Sequence, residues 1–446
     1  MEAARTDTKT EQGVESLKAN GESSQRHKSL FSRLWSLCVV LGLLGGSTLV
    51  AFAFLLPDLD RYVVVEPTGW QRVNAMFTWV AFSVRTFDLL GGVMLLLATI
   101  LVLARRMWVV SAIGVVAAVV MVWPTVMMAI WPNDRLIGGQ TALSHAGPEG
   151  LVASAPTLKI ANLNTLGSRA RSEDFRVFLV ENDPDVIVIV EYDEALHVRE
   201  AEWLKERWKY FAAMPREDNF GMAVFSRLRF EGRPMVMPEW KVPGRDGEVR
   251  VGCLDPQIRA VVEVVGAGVE AGTASTWVVI QGVHPLPPRN ETALAKQRLM
   301  HRAFAKWAKD ETRPRVLIGD LNATPRAQSS AWFAAAGLIE SRDPGRRFEE
   351  RTWPSGLGTP MWLGVRIDRA LASKELVTQR VVVGKANGSD HLPMCVTYRV
   401  VVPVGGGKSS ENARLSTHRR YDFFRTRMIY VLSFSAHQFC WFEGIF

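Results

Sequence analysis

Cysteine is scarce in this chain. Its four residues, Cys38, Cys253, Cys395 and Cys440, lie far apart and form no C-x-x-C pair. That excludes a disulfide-stapled scaffold and a thiolate zinc site, and leaves a single Cys253–Cys395 bridge open. Charge of one sign is missing as well. The chain has 53 Lys+Arg against 45 Asp+Glu, a net +8, and residues 156–400 mix 35 basic with 31 acidic side chains. Such a mixture lacks the electrostatic footprint of a dedicated nucleic-acid binder, yet it leaves a polyanionic substrate open. The third shortage is local: residues 31–131 hold only 10 of the 98 charged side chains. The mean hydropathy of +0.05 therefore averages an apolar segment with an ordinary water-soluble one.

What fills that segment is hydrocarbon. Leu34 to Leu56 runs 23 residues without a charge, enough to cross a bilayer at about 1.5 Å per residue. Ala51-Phe52-Ala53 imitates a signal-peptidase site, but the long leader and the continuing apolar run favour a retained anchor. Three transmembrane helices are expected within 31–131, at about 34–56, 86–104 and 107–131. Arg26, Lys28 and Arg33 precede the first and Arg105-Arg106 separates the last two, so both basic sites belong on the cytoplasmic side. Arg61, Arg72 and Arg85 in the first outer loop are accompanied by Asp58, Asp60, Glu66 and Asp88. Three crossings make a multi-pass protein of the inner (plasma) membrane, in contact with lipid through three helices. Everything after Trp131 then lies on the extracytoplasmic, periplasmic side.

Around this core the chain divides further. Residues 1–30 read as a disordered cytoplasmic tail, 132–156 as a Gly/Pro-containing linker and 401–446 as a disordered or interfacial tail. Residues 157–400 alternate short β-branched runs with amphipathic helices, which makes one large α/β domain. Strands are expected at Leu158–Asn162, Val186–Val190, Met222–Phe225, Ile258–Val265, Trp277–Val283, Val316–Ile318, Ile367–Ala372 and Met394–Val400. Helices are expected at Glu173–Glu181, Ala195–Trp208, Glu291–Lys309 and Gln328–Ala336. The third helix sets Arg298, Arg302, Lys306 and Lys309 beside an apolar stripe of Met300, Phe304 and Trp307. This reads as a solvated face over a core stripe, with a phosphate-tracking face as the alternative.

Polar residues gather where the apolar strands end. Lys159-Ile160-Ala161-Asn162-Leu163-Asn164 closes on two amides, and Asp185–Val190 runs straight into Glu191. Val278–Val283 delivers His284-Pro285. Arg315–Gly319 delivers Asp320 and Asn322, two apart and so on one face of an extended segment. Ile367-Asp368-Arg369 and Ser389-Asp390-His391-Leu392-Pro393 complete the set. Each alone has an ordinary explanation as a turn, a cap or a corner. Six strand ends collecting carboxylate, amide and imidazole do not.

In this order the residues resemble the endonuclease/exonuclease/phosphatase superfamily, the deoxyribonuclease-like hydrolases, over 158 to about 400. The three preceding spans resemble a bacterial membrane-anchored subgroup. The resemblance implies a four-layer α/β sandwich, two packed mixed sheets flanked by helices, carrying a metal-dependent phosphodiester hydrolase. Glu191 would be the principal metal ligand, with Asn164 orienting and Asp390 a further or water-mediated ligand. Asp320 would position or deprotonate the attacking water, and Asn322 would bind a phosphate oxygen. His391, oriented by Asp368, would meet the phosphoryl group or serve as acid–base partner. His284 would protonate the leaving oxygen or stabilise the transition state. Gly221–Arg227 and Thr352-Trp353-Pro354 resemble family landmarks of scaffold or pocket wall.

The chemistry agrees with this set. Oxygen ligands without thiolate suit Mg²⁺, with Mn²⁺ the alternative. Phosphoester hydrolysis needs charge neutralised on non-bridging oxygens, a placed water and a proton for the leaving group. The expected substrate is a phosphate ester, in a nucleic acid, a phospholipid or a small molecule, and no protein partner is inferable. Two other readings stay open: a phospholipid or phosphomonoester phosphatase of the same fold, and an inactive binding or signalling module. There are departures too. Leu166 stands where abasic-site endonucleases have an acid, and Arg369 follows Asp368 where many anchored relatives have His. The carboxylate that would pair with His284 has two candidates, Glu206 and Glu217.

Overall fold

The computed structural model describes residues 32–54, 69–130, 155–236, 240–244, 247–251, 255–265, 275–346, 350–355 and 364–401. The expected tail at 1–30, the linker up to 154, the C-terminal segment from 402 and Cys253 lie outside the described residues. Cys395 is a free, buried thiol.

Four helices come first: α1 (Ser32–Phe54), α2 (Trp70–Thr86), α3 (Asp88–Leu103) and α4 (Trp108–Ile130). Here the expectation of three membrane spans is corrected. Among the described residues only α1 is by itself long and apolar enough to cross a bilayer. α3 has 16 residues, and α2 and α3 reach spanning length together only across an 82° bend. The apolar stretch of α4, Trp108–Trp123, is also shorter. The bend falls at Phe87, directly before Asp88. This acid opens α3, is 3% exposed and pairs with Arg326 of the following domain, so the apolar stretch starts at a fixed polar anchor.

The remaining elements form an α/β sandwich. One sheet has the order β12 (Leu376–Val383), β13 (Met394–Val400), β1 (Thr157–Asn164), β2 (Val186–Val190), β4 (Met222–Ser226), β3 (Tyr210–Met214). The other runs β10 (Ile339–Glu340), β11 (Asp368–Ala372), β9 (Arg315–Asp320), β8 (Thr276–Val283), β7 (Arg259–Val264). A separate hairpin joins β5 (Trp240–Gly244) to β6 (Gly247–Val251). At the middle of each sheet one pair is parallel, β1 with β2 and β8 with β9, and the other pairings are antiparallel. Helices α5 (Ser172–Asn182) and α6 (Glu194–Arg207) cover the first sheet, and α7 (Glu291–Asp310) and α8 (Ser329–Ala335) the second.

Strand periodicity sorts the side chains into layers. Even-numbered residues of β1, β2 and β9 (Leu158, Ile160, Val186, Val188, Val190, Val316, Ile318) pack between the two sheets. Their odd-numbered neighbours Ala161, Leu163, Ile187 and Ile189 face the α5–α6 layer, and Leu317 faces α7 and α8. A strand buried on both faces needs apolar residues at every position, and Val186-Ile187-Val188-Ile189-Val190 supplies them.

Candidate active site

The even-numbered stripe between the sheets continues past the hydrocarbon. In β1 it reaches Asn162 and Asn164, in β9 Asp320, in β11 Asp368, and just beyond β8 His284. Because side chains alternate along a strand, these groups leave the apolar core in the same direction and open on one edge of the sandwich. Register brings them together. Asp368 lies directly across from Asp320 in the antiparallel β11–β9 pair, and Asn164 lies beside Val190, whose next residue is Glu191.

The Asn164 amide Nδ2 donates to Glu191 Oε1 at 3.0 Å and to Asp320 Oδ2 at 3.2 Å, so one amide ties two carboxylates. Its Oδ1 accepts from the Leu166 backbone N–H at 3.1 Å. His284 Nε2 lies 3.8 Å from Glu191 Oε1 and 3.7 Å from Asp320 Oδ2. His391 Nε2 approaches the same Asp320 oxygen at 3.7 Å, while its Nδ1 is 2.7 Å from Asp368 Oδ2. The Asp320 Oδ1 accepts from the Asn322 N–H at 2.8 Å, and Asn322 Nδ2 donates to the Pro285 carbonyl at 3.0 Å. Ligand atoms of Glu191, His284 and Asp320 lie within 4.8 Å of one another, as do those of Asp320, Asp368 and His391. Asp390 is not part of either group. It stands beside them, its Oδ2 accepting from the Trp353 indole N–H at 3.1 Å.

Backbone geometry is forced where the strands end. Glu191 and Asn322 both have left-handed φ, 55° and 50°, an uncommon state for non-glycine residues that persists only where the surroundings fix it. Gly319, before Asp320, has φ 152°, and a Cβ there would lie 1.9 Å from the Val283 carbonyl oxygen. The glycine of the Gly-Asp-x-Asn motif is thus required by the close β8–β9 approach.

Burial and charge set the protonation states. Burial raises Glu191 above the usual carboxylate range, against the Asn164 hydrogen bond. Burial, with help from the Asp368 charge, lifts Asp320 to about 7. Burial and the neighbouring His391 charge push His284 down to about 4, so its ring is neutral at pH 7. Burial alone would also lower His391, but the Asp368 and Asp320 carboxylates overcome it and hold the ring protonated up to about 10.

A divalent cation fits this donor set. Glu191 Oε2 and Asp390 Oδ1 are buried without a hydrogen-bond partner among the described residues, a costly state for a carboxylate unless a positive charge compensates it. The donors are carboxylate oxygen with imidazole nitrogen, and no thiolate is among them.

Gln257 escapes a reading of the sequence, and the contacts that Asn162 and Thr352 make are not foreseeable from it. Gln257 grips His284 at the backbone, donating to its carbonyl at 3.1 Å and accepting its N–H at 2.8 Å. Asn162 Nδ2 donates to Asp368 Oδ1 at 3.2 Å, and the Thr352 hydroxyl accepts the N–H groups of Ile367 and Asp368. Asn162, one of the two amides that close the first strand, thus supports the Asp368–His391 pair. The two candidate partners of His284 fail: Glu206 pairs with Arg207 on the exposed face of α6, and Glu217 is exposed. His284 Nδ1 is buried without a partner among the described residues, so the ring is placed by its backbone and by Phe220, 5.5 Å away between centroids.

The model of the Endonuclease/Exonuclease/phosphatase family matches residues 161–391. No curated protein sequence matches the chain. Solved structures do. An endonuclease/exonuclease/phosphatase from Beutenbergia cavernae is 20% identical, covers 55% of this chain and 72% of its own, and has a TM-score of 0.40. A 3'-5' exonuclease from Neisseria meningitidis is 20% identical over 54% of this chain and 98% of its own, with TM-score 0.40. An AP endonuclease from Archaeoglobus fulgidus is 19% identical over 55% and 100%, with TM-score 0.41.

Proposed function

Since this chain belongs to the Endonuclease/Exonuclease/phosphatase family, we propose that it is a metal-dependent, nuclease-like phosphoester hydrolase in which an activated water attacks phosphorus in line with the departing oxygen. The observation that carries this reading is the convergence of Glu191, His284, Asp320 and the Asp368–His391 pair on one edge of the sandwich.

Each residue has a task that its surroundings support. Asp320, raised to about 7, is matched to accepting a proton from water near neutral pH. His391 presents a cationic Nε2, its Nδ1–H held by Asp368, and so draws the phosphate oxygens toward Asp320. The neutral His284 donates a hydrogen bond to the charge that develops in the transition state, one of the two roles that the resemblance offers it, and the departing oxygen takes its proton from solvent water. Asn322, fixed by Asp320 and Pro285, faces a phosphate oxygen. Glu191, with Asn164 and Asp390 around it, would hold Mg²⁺ or Mn²⁺. When bound, the cation neutralises charge on the phosphate oxygens. The full chain in detergent micelles with Mg²⁺ should hydrolyse bis-p-nitrophenyl phosphate or DNA. Turnover no greater than that of Asp320→Asn on both substrates would sink the reading.

The site is held at a membrane by α1, as in the membrane-anchored bacterial subgroup, with the catalytic domain on the periplasmic side. Two observations support this. Leu34, Leu37, Leu41 and Leu49 of α1 are exposed. Arg105, in the turn between α3 and α4, reaches Ser32 Oγ at 3.4 Å, which gathers the basic residues at one end of the helices while Asp88 meets the catalytic domain at the other. An alkaline-phosphatase fusion after residue 150 should be active; an inactive, stably expressed fusion reverses the orientation.

A further inference from the structure

The elbow between α2 and α3 meets the catalytic domain at the two loops that follow β8 and β9. The Trp79 indole N–H donates to the Pro288 carbonyl at 2.8 Å, four residues beyond His284. Asp88 pairs with Arg326, their side chains 5% and 14% exposed, four residues beyond Asn322. Between these two contacts α2 packs on α7. The seam leaves a cavity of only about 10 Å³, lined by Thr78, Phe82 and Arg85 on one side and Leu294, Gln297 and Arg298 on the other.

Gln297 connects this seam to the site. Its amide donates to the Leu286 carbonyl at 3.0 Å and to the carbonyl of Asn322 itself at 2.9 Å. From the inner side the loop after β9 is gripped by Arg369, which donates to the Ala323 and Thr324 carbonyls at 3.2 Å each. Asn322 sits between the two grips with its left-handed φ of 50°, a conformation kept only by over-determined surroundings. An ion pair this far out of water is costly to break, so Asp88 helps to fix Arg326 and the loop that bears it.

We propose that the α2–α3 elbow is a clamp on the rim of the active site, with Trp79 and Asp88 as positioning residues for the loops that carry His284 and Asn322. The helices next to the anchor thereby become part of the catalytic unit. The consequence for turnover rests on the hydrolase reading above; the clamp itself does not.

Hydrogen exchange on the full chain in detergent micelles tests the clamp directly, in wild type, Asp88→Asn, Trp79→Phe and Asp88→Glu. Asp88→Asn should speed exchange about tenfold in 321–328, and Trp79→Phe should do so in 285–290, with β1 and β2 unchanged. In the presence of Mg²⁺, kcat for bis-p-nitrophenyl phosphate should fall about tenfold to a hundredfold at nearly constant KM, and Asp88→Glu should restore both readouts. Unchanged exchange in the two loops overturns the clamp whether or not the wild type turns over. Faster exchange with unchanged kcat overturns the positioning role. Turnover absent from the wild type itself counts against the hydrolase reading, and the exchange result still decides the clamp. If Asp88→Asn exchanges everywhere and has unfolded, Trp79→Phe decides instead, because it removes the N–H donor and keeps an aromatic ring.

Discussion

Replacing Glu191 with Gln should abolish the response of this protein to divalent cations while leaving its fold intact. Gln has the same shape and can still meet the Asn164 amide that Glu191 Oε1 now accepts. It removes the charge of a carboxylate whose second oxygen is buried without a partner among the described residues and whose burial already raises its pKa. In the wild type a cation at about 100 times its Kd stabilises the native state by about 2.7 kcal/mol. For a domain of this size that is a rise in Tm of roughly 5–10 °C. Thermal unfolding of full-length protein, with EDTA and then with millimolar Mg²⁺, measures it. Glu191→Gln should show a rise near zero, with a Tm in EDTA equal to or above that of wild type, because a buried, uncompensated charge has gone. The pH dependence has a fixed sign. Glu191 and Asp320 are raised, Asp320 to about 7, so the folded chain holds their protons more tightly than the unfolded one. Without metal, the contribution of these two carboxylates to stability therefore falls as pH rises from the ordinary carboxylate range through about 7, and the cation's effect grows over the same window. A wild type unmoved by Mg²⁺, or a Glu191→Gln variant that shifts equally, would refute the reasoning.

Three further outcomes are expected. Asp368→Asn removes the carboxylate 2.7 Å from His391 Nδ1 and should lower kcat by about 10²–10⁴-fold with the Mg²⁺-induced Tm rise retained; a loss under tenfold takes the pair out of the mechanism. Gly319→Ala, whose Cβ would meet the Val283 carbonyl at 1.9 Å, should cost at least about 3 kcal/mol in urea unfolding, and an unchanged midpoint contradicts the tight β8–β9 approach. His301, buried against the Leu321 carbonyl at 3.1 Å, is pushed down to about 3 by burial and by Arg369. Its stabilising contribution is complete above about 6.5 and is lost as pH falls toward 3, on the order of a few kcal/mol. His301→Gln should flatten that part of the stability–pH curve, and parallel curves for variant and wild type rule it out.

The strands with the strongest local pattern are the most legible. Val186–Val190 and Met394–Val400 appear in the structure with the expected ends, because both are apolar runs bounded by polar residues. Edge strands escape the pattern. Tyr210–Met214 has two exposed and three half-buried residues, and Leu376–Val383 carries an irregularity between Thr378 and Arg380. Neither buries enough on one side to print a period of two on the sequence. Helix ends move by a residue, as with Ser172–Asn182 for an expected Glu173–Glu181. Arg298 shows a different failure. Periodicity puts it on a solvated face of α7, yet it is 5% exposed and donates to Gln328, because α2 and the Gln328 segment cover that face. No pattern within α7 announces what will lie on top of it.

The site divides along the same line. By itself the sequence determined which groups stand at the ends of apolar strands, since the alternation that buries Leu158 and Ile160 also aims Asn162 and Asn164, and the one that buries Val316 and Ile318 also aims Asp320. It marked three segments for a bilayer, of which only α1 is by itself long and apolar enough among the described residues. Tertiary structure alone decided that Asp368 faces Asp320 across two antiparallel strands, that His391 is held charged and His284 neutral, and that neither Glu206 nor Glu217 reaches the site. It alone bent the chain before Asp88 and set that acid on Arg326. The physical reason is range: side-chain direction follows from one or two dihedrals per residue, whereas protonation, pairing and burial depend on which distant segments exclude water from the same few cubic ångströms.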